Sequence, residues 1–151
     1  MPLEALRAKL GQDHGGIHFL PDSPASKPVQ AAAKAAGRRY FHIDGKNIQR
    51  KEQLLNAVAT ALHFPASFGH NWDALEECLV DVEVDEGFVI YYEHVDPLAQ
   101  EHPDQFQTFL EICRDAVSSW KEDGTPMFVL FSGSKAPKGV SRLSAKVEDE
   151  D

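Results

Sequence analysis

Asp73 and Glu77 lie four residues apart in the run Asn71-Trp72-Asp73-Ala74-Leu75-Glu76-Glu77-Cys78-Leu79. In a helix that spacing sets both carboxylates on one face, with Glu76 beside them and Asp81 further round. Two carboxylates on one face suit two kinds of chemistry. They can share acid and base roles in a hydrolysis, or they can present fixed negative charge to a cationic site that otherwise holds phosphate. No pocket-forming motif accompanies the pair, which weighs against hydrolysis. A third reading, a plain solvated face, stays open for any acidic pair on a helix.

The surrounding composition favours binding. Residues 52–113 contain 13 Asp and Glu and no Lys or Arg, whereas ordinary surfaces intersperse both signs. Like charges at i and i+4 cost a helix a few tenths of a kcal/mol, roughly. Asp73 offsets part of that from the first turn, where the helix dipole favours an anion; Glu77 has no such compensation. The charge is also segregated along the chain. Residues 1–40 carry six Lys and Arg against three acids, and residues 41–132 carry five against seventeen. A formal net charge of -9 disfavours nucleic acid and anionic membranes as direct partners.

Other constellations are weaker. Glu93, His94 and Asp96, with His102 nearby, match no zinc spacing, and they read as solvating groups of a loop. No metal and no cofactor is expected. Cys78 has Glu76 and Glu77 as neighbours, which raise a thiol pKa rather than lower it. Cys113 falls on a core stripe. Both read as free thiols and poor nucleophiles, so the chain is not expected to be an enzyme. His70, between Gly69 and Asn71, suits a rim contact that titrates near neutrality or a plain loop residue.

These residues need elements to place them. Ile17–Leu20 is short and β-like, and residues 28–36 read as an Ala-rich helix stopped at Gly37. Arg39–Ile43 is a strand turned by Asp44-Gly45. Leu54, Leu55, Val58 and Leu62 recur at helical spacing over residues 50–63, before Pro65. Asn71 is a good N-cap for the acidic helix, whose inner stripe is Trp72, Leu75, Leu79 and Val82, flanked by Cys78. Phe88–Tyr92 and Met127–Phe131 are apolar runs of the kind buried on both faces. Between them residues 105–120 form a helix with Phe106, Phe109, Leu110, Cys113 and Val117 inward. This alternation predicts an α/β fold, a small parallel β-sheet of three to four strands packed with helices. Residues 1–38 form an N-terminal extension that adds a strand and a helix, 39–133 the central domain, and 134–151 a flexible tail. The N-terminus has no signal-peptide order and no run of membrane-span length occurs, so a cytoplasmic location is expected.

The run Phe64-Pro65, then Phe68-Gly69-His70-Asn71-Trp72-Asp73-Ala74-Leu75 and Glu77, resembles the signature of the barstar family of ribonuclease inhibitors. The resemblance covers about residues 39–133, with strands and helices in the same order. It implies a cytoplasmic inhibitor, without cofactor, that plugs the active site of a basic, secreted ribonuclease. Asp73 and Glu77 match the two carboxylates such inhibitors set against the nuclease. Glu77 stands for the acid in the phosphate pocket, where the best-known member has Asp. Asp115 matches a further acidic contact, and Asn71 the motif Asn, as a helix cap. Gly69 and Trp72 belong to the same structural motif. Ser67 and Glu76 stand where the best-known member has Tyr and Trp, and aromatic anchors carry much interface energy. A barstar-like module for another basic partner (a DNase, another toxin or a regulatory protein) therefore remains the alternative. A monomer is expected.

Overall fold

The computed structural model describes residues 3–144. Helix α1 (Glu4–Leu10) leads into strand β1 (Gly16–Phe19), helix α2 (Ser26–Ala35) and strand β2 (Arg39–Asp44). A 3-10 turn (Gly45–Asn47) precedes α3 (Lys51–Leu62) and α4 (Trp72–Leu79). Strand β3 (Phe88–Glu93), α5 (Asp96–Glu101), α6 (Pro103–Glu122), β4 (Met127–Phe131) and β5 (Ser141–Arg142) complete the order.

The fold is α/β. The sheet runs β2-β3-β4-β1-β5, with every neighbouring pair parallel. Among the described residues it has five strands, where sequence periodicity predicts three to four. The added one is β5, too short and too polar to carry a periodic signal. Ser141 pairs with His18 and Arg142 with Phe19, the Leu143 N–H donates to the Phe19 carbonyl at 2.8 Å, and Val140 is buried. Composition sets residues 134–151 apart as a tail, yet the described part of it, 134–144, closes one sheet edge. Residues 145–151 lie outside the described part.

Parallel strands are buried on both faces, and the central ones alternate accordingly. Phe88, Ile90 and Tyr92 of β3, with Met127, Val129 and Phe131 of β4, enter a core shared with α3, α4, α5 and α6. Val89, Tyr91, Phe128 and Leu130 face the other way, into a second core closed by Leu6, Leu10, Val29 and Ala33 of α1 and α2. Before residue 38, α1 and α2 thus form the second layer on the sheet, while β1 is one of its strands. Helix α1 has no counterpart among the sequence expectations, because seven residues are too few to display a period. The Tyr91 hydroxyl ties this layer to the sheet: it donates to the Pro24 carbonyl at 2.6 Å and meets the Ser132 hydroxyl at 2.8 Å.

The helices that carry the acidic residues are fixed by local chemistry. Gln53 Oε1 accepts from the Gln49 and Arg50 N–H groups and starts α3. Gln105 Oε1 of α6 accepts from the Lys51 N–H. His63 ends α3 in the left-handed region (φ 59°), and Pro65 prevents its resumption. Helix α4 stops at Leu79. Val82, which the helical stripe placed beneath Trp72, Leu75 and Leu79, is therefore set by the following loop. Among the described residues, no helix is long and apolar enough to cross a membrane.

Candidate functional site

The loop into α4 is built on aromatic contacts. Phe68 is buried, its ring 5.1 Å from Phe64 and 4.8 Å from the imidazole of His70. His70 takes a left-handed backbone (φ 55°), and its Nδ1–H donates to the Phe68 carbonyl at 3.0 Å. Asn71 follows as N-cap: its Oδ1 accepts from the Ala74 N–H at 2.8 Å, and its Nδ2 donates to the Gly69 carbonyl. That cap orients the first turn and so sets where Asp73 projects. Gly69 lies against this cap; a Cβ there would come within 3.3 Å of Asn71 Nδ2.

Leu75 and Leu79 are fully buried and hold α4 to the core. Trp72 is half-buried, with Lys51 Nζ 5.3 Å from its ring centroid. Asp73, Glu76 and Glu77 are all exposed. Among the described residues, no Lys, Arg or His nitrogen lies within 4.0 Å of these carboxylates or of Asp115. Lys51, which borders the basic-free window, spends its charge on the Trp72 ring.

Asp115 is exposed on α6, which packs against α4. The Trp120 Nε1–H donates to the Leu79 carbonyl at 2.8 Å, so the end of α4 is tied to the helix that carries Asp115. Ser67 is exposed in the loop before α4. The structure thus places Asp73, Glu76 and Glu77 on one helix, Ser67 and His70 in the loop before it, and Asp115 on the helix that packs against it.

One residue of this face has no place among the sequence expectations. Val80, the α4 C-cap, is 42% exposed, more than any other large hydrophobic among the described residues. It falls four residues after Glu76 and seven after Asp73, so at helical spacing it shares their face. The spacing was readable; its exposure was not, because a valine after an apolar stripe reads as core.

The groups of the alternative chemistries are taken up in pairwise contacts. His42 Nε2 pairs with Glu93 Oε1 at 2.8 Å, and His94 Nδ1 with Asp44 Oδ1 at 3.0 Å. Asp96 accepts from the Ser134 N–H and holds the segment after β4. No group of three or more His, Cys, Asp or Glu among the described residues is arranged to hold a metal. Cys78 and Cys113 are free thiols. Burial, then the Asp81 and Glu77 carboxylates, push the Cys78 thiol up, and complete burial does the same to Cys113. Neither environment generates a thiolate.

A family model described as barstar, the barnase inhibitor, matches residues 38–132. The chain belongs to the barstar family. The match runs from β2 to β4 and includes α4 and α6; α1, β1, α2 and β5 lie outside it. A search of curated proteins gave no match. Barstar-family proteins are inhibitors rather than enzymes, and the positions that the resemblance marks as contacts, Asp73, Glu77 and Asp115, are all exposed here.

Proposed function

We propose that this protein binds and blocks the active site of a basic ribonuclease through the exposed face of α4. One observation carries the reading: within the barstar-matched segment, Asp73, Glu76 and Glu77 project from one capped helix with no described cation within 4.0 Å. Carboxylates held in this way replace substrate phosphate in a site of Arg, Lys and His, and form charge-assisted hydrogen bonds. No covalent step is required. Long-range attraction speeds encounter, and burial of Glu77 against cations slows release. Asp115 adds charge from α6, and Val80 supplies apolar contact within the acidic stripe. In this role the protein is a cytoplasmic monomer that protects its own cell, with no enzymatic activity, no cofactor and no direct contact with nucleic acid or membrane.

Titration of barnase activity against the full chain tests this. Inhibition at stoichiometric concentration is expected. Glu77→Ala should weaken binding by on the order of 2–5 kcal/mol, the general range for truncating one partner of a buried interfacial charge pair, a rule for which the barnase–barstar complex is itself a standard example. An unchanged off-rate in Glu77→Ala would reject the role of that carboxylate.

Ser67 and Glu76 favour a second reading. Both are exposed where the best-known member has aromatic anchors, so the same charged face can serve a DNase, another toxin or a basic regulatory protein. Failure to inhibit barnase, with tight and salt-sensitive binding to a basic DNase, would select it.

A further inference from the structure

A cleft of about 470 Å³ opens beside α4, between the start of β2, the end of α3 and the loop that follows α4. Its walls include Phe41, Leu62, Phe64, Pro65, Cys78 and Val82. Asp81 and Glu83 complete the lining, together with Arg39 and His63. That sets two carboxylates against one guanidinium, beside one imidazole. Neither acid has a described cation within 4.0 Å. At roughly 30 Å³ per liquid water, the space holds on the order of fifteen waters, enough for a whole side chain rather than a single ion.

We propose that this cleft receives an arginine side chain of the protein partner, with the guanidinium on Asp81 and Glu83 and the stem along the apolar wall. The proposal rests on the inhibitor reading and extends its surface beyond the helix. Arginine suits the lining better than lysine: its planar head stacks on aromatic faces and bridges carboxylates, whereas an ammonium is a hydrated point charge. The chain already demonstrates the first of these contacts, since the Arg39 guanidinium carbon sits 5.3 Å from the Phe41 ring centroid. A second guanidinium would balance the remaining carboxylate. The acidic charge also reaches the cleft lining: burial first, and then the carboxylates of Asp81 and Glu77, raise the Cys78 thiol.

The test is an NMR titration of the ¹⁵N-labelled full chain with N-acetyl-arginine-N-methylamide, and with its lysine and citrulline counterparts. Saturable shifts are expected at the amides of Cys78, Asp81, Val82 and Glu83, at least tenfold weaker for citrulline and weaker for lysine. Val82→Trp, which fills the cleft, should abolish them, and the pair Asp81→Asn with Glu83→Gln should do so without adding bulk. Equal response to citrulline, or shifts spread equally to Asp73 and Glu76, would overturn the proposal. Barnase inhibition is scored separately. An inhibitor that ignores the arginine probe defeats the cleft alone, while a chain that binds the probe but inhibits no nuclease defeats the inhibitor reading and leaves the cleft standing.

Discussion

The Trp120 indole donates its Nε1–H to the Leu79 carbonyl at 2.8 Å, one of the last carbonyls of α4 and therefore without a partner in its own helix. This bond sets the end of the acidic helix against α6, where the same Trp120 ring packs edge-on to Phe88 at 5.5 Å. Charge on two helices becomes one surface only if the helices hold a common frame. Trp120→Phe keeps the ring contact and removes the donor. A loss of about 0.5–1.5 kcal/mol in urea unfolding is expected, with a faster off-rate from barnase. Unchanged stability would show that the bond does not constrain α4.

Asn71 is the corresponding device at the other end of α4. Asn71→Ala removes the acceptor for the Ala74 N–H and should cost roughly 1 kcal/mol in thermal or urea unfolding. Asn71→Asp retains a capping oxygen and should recover most of that loss. Equal destabilisation by both variants would mean that the Asn71 amide acts through Gly69 instead.

Because the α4 carboxylates are exposed and unneutralised by described neighbours, the association rate with barnase should fall steeply as ionic strength rises. Asp73→Asn combined with Glu76→Gln should flatten that dependence more than it changes the off-rate. Stopped-flow mixing over a salt series measures both. A slope identical to that of the unmodified chain would remove steering from the account.

The pH dependence of stability should carry a signature of His18. Burial, then the positive charge of Lys9, lower its pKa to about 4 from an ordinary 6.5. The unfolded chain therefore binds a proton that the folded chain refuses between those values. Stability from this group is present above about pH 6.5 and is lost as pH falls towards 4. His18 Nδ1 lies 3.0 Å from the Ser141 hydroxyl of β5, so the effect should centre on that edge. In urea melts from pH 7 to 4.5, His18→Gln should decline less than the unmodified chain. Parallel declines would place the acid sensitivity elsewhere.

The second core predicts that the barstar-matched segment is not self-sufficient here. Leu6 is fully buried against the sheet face of Val89, Tyr91, Phe128 and Leu130. Leu6→Ala should cost about 2–5 kcal/mol. A fragment of residues 38–132 should bind a hydrophobic dye or aggregate where the full chain does not. A fragment as stable as the full chain would contradict this.

Much of the arrangement is dictated locally and could be read along the chain. The apolar runs at Phe88–Tyr92 and Met127–Phe131 announce strands buried on both faces, because no polar residue interrupts them. Asn71 announces a helix start, since its side chain needs only the N–H groups of the next turn. The i, i+4 relation of Asp73 and Glu77 follows from helix geometry alone, as does the repulsion that makes the pair informative. Other features depend on residues far apart in sequence, and these only the tertiary structure decided. Strand β5 exists because β1 offers it a sheet edge; two residues carry no pattern of their own. Val80 is exposed and Val82 lines a cleft because α4 ends at Leu79, and the Leu79 carbonyl finds its partner 41 residues later, in Trp120. Charge and helical spacing follow from covalent order, whereas exposure follows from what the rest of the chain leaves uncovered.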